Sequence, residues 1–165
     1  MTVSDNHLNP DKPDVMDLET IDAADFGRSL KGIGLNLLTR DVLSLERFLC
    51  DVFAMRSSRV SKDFAIMHYA DSVFQLHADA TFHSNPLLSV LPENGARGAG
   101  LEIRLYQTDP DQAMEAAGSH AHESHVLQAP ANKPHGLREC IILCENGYAW
   151  VPSRPLSKAE SDAVT

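Results

Sequence analysis

The sequence predicts an α+β fold in which one strand–helix–strand–hairpin unit occurs twice. Three observations predict it. Short apolar segments, Ile33–Leu38 and Leu101–Gln107, open two stretches of similar length. Each is followed by an acidic helix start, at Asp41 and at Asp109. Each stretch closes on a tight turn between two strands, Asp71–Ser72 in the first and Glu145-Asn146-Gly147 in the second. Weak self-similarity at a fixed period marks one duplicated architecture rather than unrelated pieces. The two copies are expected at 32–79 and 98–152. Sheets that curl in this way would leave a pocket between the halves.

The elements follow in chain order. Residues 1–31 form an acidic arm with few large apolar residues, in which Pro10, Pro13 and Gly27 disfavour helix. Met16, Leu18, Ile21 and Phe26 are available to dock it. In the strand Ile33–Leu38, alternation puts Ile33, Leu35 and Leu37 on the core face and Gly34, Asn36 and Leu38 opposite. Over 41–53, Val42, Leu45, Phe48, Leu49 and Val52 recur at helical spacing and predict one buried stripe. Strands are expected at Ser57–Val60, Asp63–Tyr69 and Val73–Ala78.

Asp79–Ala99, with Asn85-Pro86, Pro92, Asn94-Gly95 and Gly98, reads as the linker between the copies. In the second copy Asp109 is the expected N-cap, Pro110 takes the first helical position and Gln112 completes a capping box. Gly118 is the expected stop. Strands follow at His125–Gln128, Arg138–Cys144 and Tyr148–Val151, and 153–165 reads as a loose polar tail.

Composition narrows the function classes. The 165 residues suffice for one domain with a real core, and 43% of them are hydrophobic. The net charge of -9, densest per residue in the arm, argues against nucleic acid, whose phosphates an acidic surface repels. No apolar run nears the roughly 20 residues a membrane helix needs. The first residues lack the basic and apolar regions of a signal peptide, and the odd set Cys50, Cys140 and Cys144 makes no disulfide framework. A reduced cytoplasmic protein is the expectation.

The segment Asn36-Leu-Leu-Thr-Arg-Asp41, the helix end Phe48-Leu-Cys-Asp-Val-Phe-Ala-Met55 and the turn Glu145-Asn-Gly-Tyr-Ala-Trp150 together resemble the vicinal oxygen chelate superfamily. That superfamily includes glyoxalase I, bleomycin-resistance proteins and extradiol dioxygenases. Lys133-Pro-His-Gly-Leu-Arg-Glu139 resembles the loop and strand before the last hairpin of bleomycin-resistance-like members. The resemblance covers roughly 32–152. It implies two βαβββ modules whose mostly antiparallel sheets form a cup, the glyoxalase/bleomycin resistance fold. Enzymes of the family hold a divalent metal there through His, Glu or Gln on the first and last strands of each module. The matching positions are Gly34, Gln75, Glu102 (or Leu101, with a shift of one) and Val151. Glycine and valine supply no donor, so no metal and no other cofactor is expected.

The residues themselves indicate a cup lining. Gln75 and His77 share one face of their strand, while Phe74 and Leu76 take the other. Glu102, Arg104 and Tyr106 alternate with Leu101, Ile103 and Leu105, so Glu102 and Arg104 either pair in place or receive a polar ligand. His135 is a candidate acid–base group or a residue that holds its loop. Arg138 and Glu139 point to opposite faces, so one of them enters the cup. Trp150 walls either pocket or core. His120, His122 and His125 match neither one helix face nor one strand face, and read as a solvated turn. Cys140 and Cys144 are about 13 Å apart on an extended strand, too far to bond.

The candidate ligand-binding set is therefore Asn36, Gln75, His77, Glu102, Arg104, His135, Arg138 and Trp150, with catalytic residues open. The expected function is binding or sequestration of a small organic molecule by a homodimer, as the resemblance to bleomycin-resistance proteins implies. A metal-dependent lyase or dioxygenase with an unusual ligand set is the competing reading. A partner-binding role for the acidic arm is the third.

Overall fold

The computed structural model describes residues 17–119 and 124–163. The first helix, α1 (Ala23–Ser29), lies in the arm and is capped by Asp22, whose carboxylate accepts from the Ala24 amide at 2.8 Å. The first module then runs β1 (Asn36–Thr39), α2 (Val42–Phe53), β2 (Arg56–Ser58), β3 (Phe64–Tyr69) and β4 (Ser72–Ala78). Short 3-10 helices at Asp79–Phe82 and Pro86–Val90 lead to the second module. That module runs β5 (Glu102–Tyr106), α3 (Pro110–Ser119), β6 (His125–Asn132), β7 (Leu137–Leu143) and β8 (Ala149–Pro155), and α4 (Lys158–Asp162) follows.

Each module makes one four-stranded sheet, in the orders β1-β4-β3-β2 and β5-β8-β7-β6. The first and last strands of a module pair in parallel, and the other pairs are antiparallel. The repeated topology follows from the repeated sequence pattern. In α2 all five residues of the expected stripe are buried, and Asp41 caps the helix by accepting from the Ser44 amide at 3.0 Å. Asp109 caps α3 in the same way, accepting from the amides of Asp111 at 2.9 Å and Gln112 at 3.1 Å.

Several boundaries differ from expectation. β1 begins at Asn36, and Ile33 stands 91% exposed before it, because no strand pairs alongside Lys31–Gly34. The first hairpin turns at Ala70–Asp71, one residue early, since Tyr69 and Ser72 pair across it. The second turns at Glu145–Gly147, where Gly147 takes φ +80 and its amide donates to the Cys144 carbonyl at 2.8 Å. Gly118 lies inside the last turn of α3 rather than ending it. Residues 153–163 are ordered: Ser157 and Glu160 form a reciprocal capping box, and Arg154 bonds both Glu160 oxygens at 2.9 Å.

The helix sides of the two sheets share one core. Leu37, Met67, Phe74 and Leu76 from the first sheet join Leu105, Cys140, Ile142 and Trp150 from the second, with α2 and α3 between. Trp150 sits at the junction, its ring 5.8 Å from Phe53 and 6.2 Å from Phe74. Polar bonds register the modules: Tyr148 Oη donates to the Leu38 carbonyl at 2.9 Å, and Thr39 Oγ1 donates to Asn146 Oδ1 at 2.9 Å. Gly98 belongs to this seam, because a Cβ there would lie 2.4 Å from the Tyr148 amide nitrogen. What lies between the halves is thus packed core and not the expected pocket. The other face of each sheet mixes its polar residues with buried apolar ones, Leu38 and Ile66 in the first sheet and Val151 in the second.

Candidate functional site

The outward face of the second sheet is built by alternation along three neighbouring strands. β5 presents Glu102, Arg104 and Tyr106, whose partners on β8 are Ala149, Val151 and Ser153. Across β8, Ser153 pairs with Glu139 of β7, which puts Glu139 on the same face. Arg104 joins these strands. It donates from Nη1 to Glu102 at 2.8 Å and from Nη2 to Glu139. His135, in the loop before β7, brings its Nε2 within 3.2 Å of the same Glu139 carboxylate. Glu139 is buried and Arg104 half-buried. Burial works against the Arg104 charge, but the bonds to Glu102 and Glu139 outweigh it and hold the guanidinium pKa above its ordinary value. The arrangement is a planar donor fork between two acceptors, with an imidazole at its edge and the exposed Tyr106 ring beside it.

The outward face of the first sheet carries the other expected residues. Asn36 pairs with Gln75 across β1 and β4. Gln75 Oε1 lies 3.3 Å from His77 Nε2. The His77 ring is held edge-on between Phe64 and Phe82, at 5.1 and 5.0 Å. Burial among these rings lowers the His77 pKa, so the neutral imidazole dominates near neutrality.

No family model matches the chain by sequence, and no curated protein does either. Solved structures do match by shape. One is a glyoxalase/bleomycin resistance protein/dioxygenase family enzyme from Burkholderia phytofirmans PsJN, at TM-score 0.60 and 15% identity, covering 74% of this chain and 97% of that one. A glyoxalase/bleomycin resistance protein/dioxygenase from Nocardioides matches at TM-score 0.58 and 16% identity, covering 83% and 93%. A glyoxalase-related enzyme from Fulvimarina pelagi matches at TM-score 0.60 and 14% identity, covering 80% and 96%. The chain has the vicinal oxygen chelate fold. At these identities the likeness is one of fold alone.

The vicinal oxygen chelate fold raises the matter of a metal, and these residues do not fit one. Gly34 lies ahead of β1 and has no donor, and Val151 is a fully buried hydrocarbon opposite Arg104. Gln75 and Glu102 belong to different sheets, and Glu102 is already paired to Arg104. Among the described residues no three His, Cys, Asp or Glu side chains gather where an ion could be held. A cation placed at Glu102 or Glu139 would meet the Arg104 guanidinium.

The candidate residues of the sequence therefore separate into groups. Glu102, Arg104 and His135 converge through Glu139, a residue that was named only as the alternative to Arg138. Gln75 and His77 form a second pair, beside Asn36, on the other sheet. Arg138 lies on the helix side, where Nε and Nη2 bond the Asp111 carboxylate of α3 at 2.7 and 2.6 Å. Trp150 belongs to the core. The deciding signal was present in the alternation Arg138-Glu139-Cys140-Ile141-Ile142. Cys140 and Ile142 take the apolar side, so Arg138 goes with them and Glu139 faces outward. His120 and His122 lie outside the described residues, and His125 opens β6. The three cysteines are free thiols, and burial pushes Cys140 up to about 12 and Cys50 up to about 11, so neither is a nucleophile at neutral pH.

Proposed function

We propose that this protein binds a small organic molecule at the outward face of its second sheet, without a metal, as a two-fold homodimer in the cytoplasm. The observation that carries the reading is Arg104 held between Glu102 and Glu139 with His135 alongside. A fixed guanidinium flanked by carboxylates recognises a ligand that offers both hydrogen-bond acceptors and donors. Its orientation is set before binding, which lowers the ordering cost. The half-buried Arg104 and exposed Tyr106 leave that face accessible. A second copy laid over it would close the cup that one chain leaves open. The names of the matched structures include both resistance proteins and enzymes, and the donor set here favours binding over metal-assisted chemistry.

The test is a thermal-shift screen of a chemically diverse library on wild type and Arg104→Gln, with elemental analysis of the purified protein. A bound ligand stabilises the native state by RT ln(1 + [L]/Kd). Expected are hits that Arg104→Gln loses and substoichiometric metal. One tightly held divalent ion per chain, or hits indifferent to Arg104→Gln, would overturn the reading.

A further inference from the structure

The acidic arm and the first sheet enclose a second cleft, on a different sheet from Arg104 and Glu139. Its volume is about 860 Å³, within the range of small-molecule sites. The arm supplies Leu18, Phe26, Leu30 and the backbone of Lys31–Gly34. The sheet supplies Val73 of β4, His68 of β3, and Arg56 and Ser58 of β2. The pairings Val73–His68 and His68–Arg56 put these residues on one face of the sheet, opposite the core. Phe26 is only 7% exposed although it stands outside the main core, so residues 17–31 of the arm are seated here. The Arg59 amide donates to Glu19 Oε2 at 3.1 Å and ties this part of the arm to the loop after β2.

The polar groups of this cleft divide into used and unused. Ser58 Oγ and His68 Nε2 are 2.9 Å apart and satisfy one another. Asp17 accepts from Thr20 and from the Glu19 amide. The Arg56 and Lys31 side chains make no hydrogen bond or ion pair among the described residues, and no backbone hydrogen bond anchors Gly32–Gly34. Gly32 and Gly34 have open space where a Cβ would stand. One side of the cleft is thus apolar, and the rest of its lining carries the unpaired Arg56 and Lys31 and free main-chain groups together with the carboxylates Asp17 and Asp71.

We propose that the cleft between the arm and the first sheet is a binding site for an organic anion with an apolar body. The ring or alkyl part lies against Phe26, Leu18 and Val73, and the anionic group meets the Arg56 guanidinium, which offers a planar fork to a carboxylate. Because half of the wall belongs to the arm, such a ligand also clamps the arm on the sheet.

Naphthylacetate, its neutral amide and naphthylethylamine test this by calorimetry on the full chain. Expected is binding of naphthylacetate at least about tenfold tighter than the amide, with the amine weakest. Arg56→Gln, at an exposed position, removes the preference for the acid. Arg47→Gln, an exposed arginine on α2, keeps it. Trypsin cleavage after Arg28 and Lys31 slows when naphthylacetate is present. Equal binding of acid and amide, an unchanged preference in Arg56→Gln, or no saturable binding of any probe up to millimolar concentration overturns the proposal. If Arg104→Gln removes the preference and Arg56→Gln does not, the anion sits on the second sheet. That result overturns the cleft and leaves the reading of Arg104 intact.

Discussion

At the scale of single residues, strand parity decides whether a side chain supports the fold or faces a ligand. Phe74 and Gln75 are sequence neighbours, yet Phe74 packs in the core beside Trp150 and Gln75 faces outward beside His77. Phe74→Ala should cost about 3–5 kcal/mol through the cavity it leaves. Gln75→Ala should cost a small fraction of that. Urea titration of both variants measures the contrast, and the reverse order would shift the register by one residue and invert the two faces. His77 makes a second prediction. Its pKa is lowered from 6.5 by burial, so the native state binds fewer protons than the unfolded chain as pH drops. The resulting penalty is absent well above 6.5, then grows as pH falls from 6.5 towards the depressed native value. His77→Gln should therefore flatten the decline of melting temperature over that window relative to wild type, as followed by circular dichroism. An unchanged slope would show that the ring charges freely in the native state.

At the scale of elements, the helix starts are carried by two aspartates in equivalent places. Asp41 satisfies the Ser44 amide, and Asp109 satisfies the amides of Asp111 and Gln112. Without a side-chain acceptor these first-turn donors turn to water, at a typical cost of about 1 kcal/mol. Asp41→Ala should cost about that much. Asp109→Ala should cost somewhat more, because Asp109 also accepts from Arg154 at 3.3 Å. The caps lie in different modules and share no partner, so the double variant should sum to within about 0.5 kcal/mol. Denaturant melts of the three variants check this, and a strongly sub-additive double variant would mean that the two helices communicate through their packing. β7 illustrates how an element divides labour. Its Arg138 reaches back to Asp111 of α3 while Glu139 joins the outward cluster, so one strand both anchors a helix and supplies the candidate site.

At the scale of the whole molecule, two half-cups sit back to back on a common core, and the arm closes over one of them. This asymmetry distinguishes the outward faces. The first has Phe26 and Phe82 buried at its two ends, and the second leaves Tyr106 57% exposed. Deleting residues 1–31 should leave a folded protein, because the core lies wholly in the modules. It should lower stability by about 1.5–3 kcal/mol, the value of one large buried side chain. It should also raise binding of a hydrophobic dye by uncovering the first sheet. An equally stable, dye-silent truncation would show that the arm makes no net contribution. Light scattering on the full chain should give twice the chain mass, since the open second face calls for a cover. A monomer at tens of micromolar would sink the homodimer.

The local pattern by itself determined the order of the strands and main helices within the two modules, but neither α1 in the arm nor α4 after β8. It also determined the apolar stripe of α2, the caps at Asp41 and Asp109, the glycine turn at Gly147 and the division of Phe74 from Gln75. These follow from side-chain period and turn chemistry, which act over a few residues. The extent of β1 was not legible, because whether Ile33 joins a strand depends on a neighbour to pair with. The ordered end through Asp162 depended on Arg154 meeting Glu160 after β8 had extended to Pro155. Parity sorts residues onto two faces but does not say what each face meets. Only tertiary packing joined the helix sides of both sheets around Trp150. That packing gathered Glu102, Arg104, His135 and Glu139 into one cluster from three segments, and it seated an arm with no periodic signal across the first sheet. Those contacts join residues far apart in sequence, and burial of the larger apolar surface decided among them.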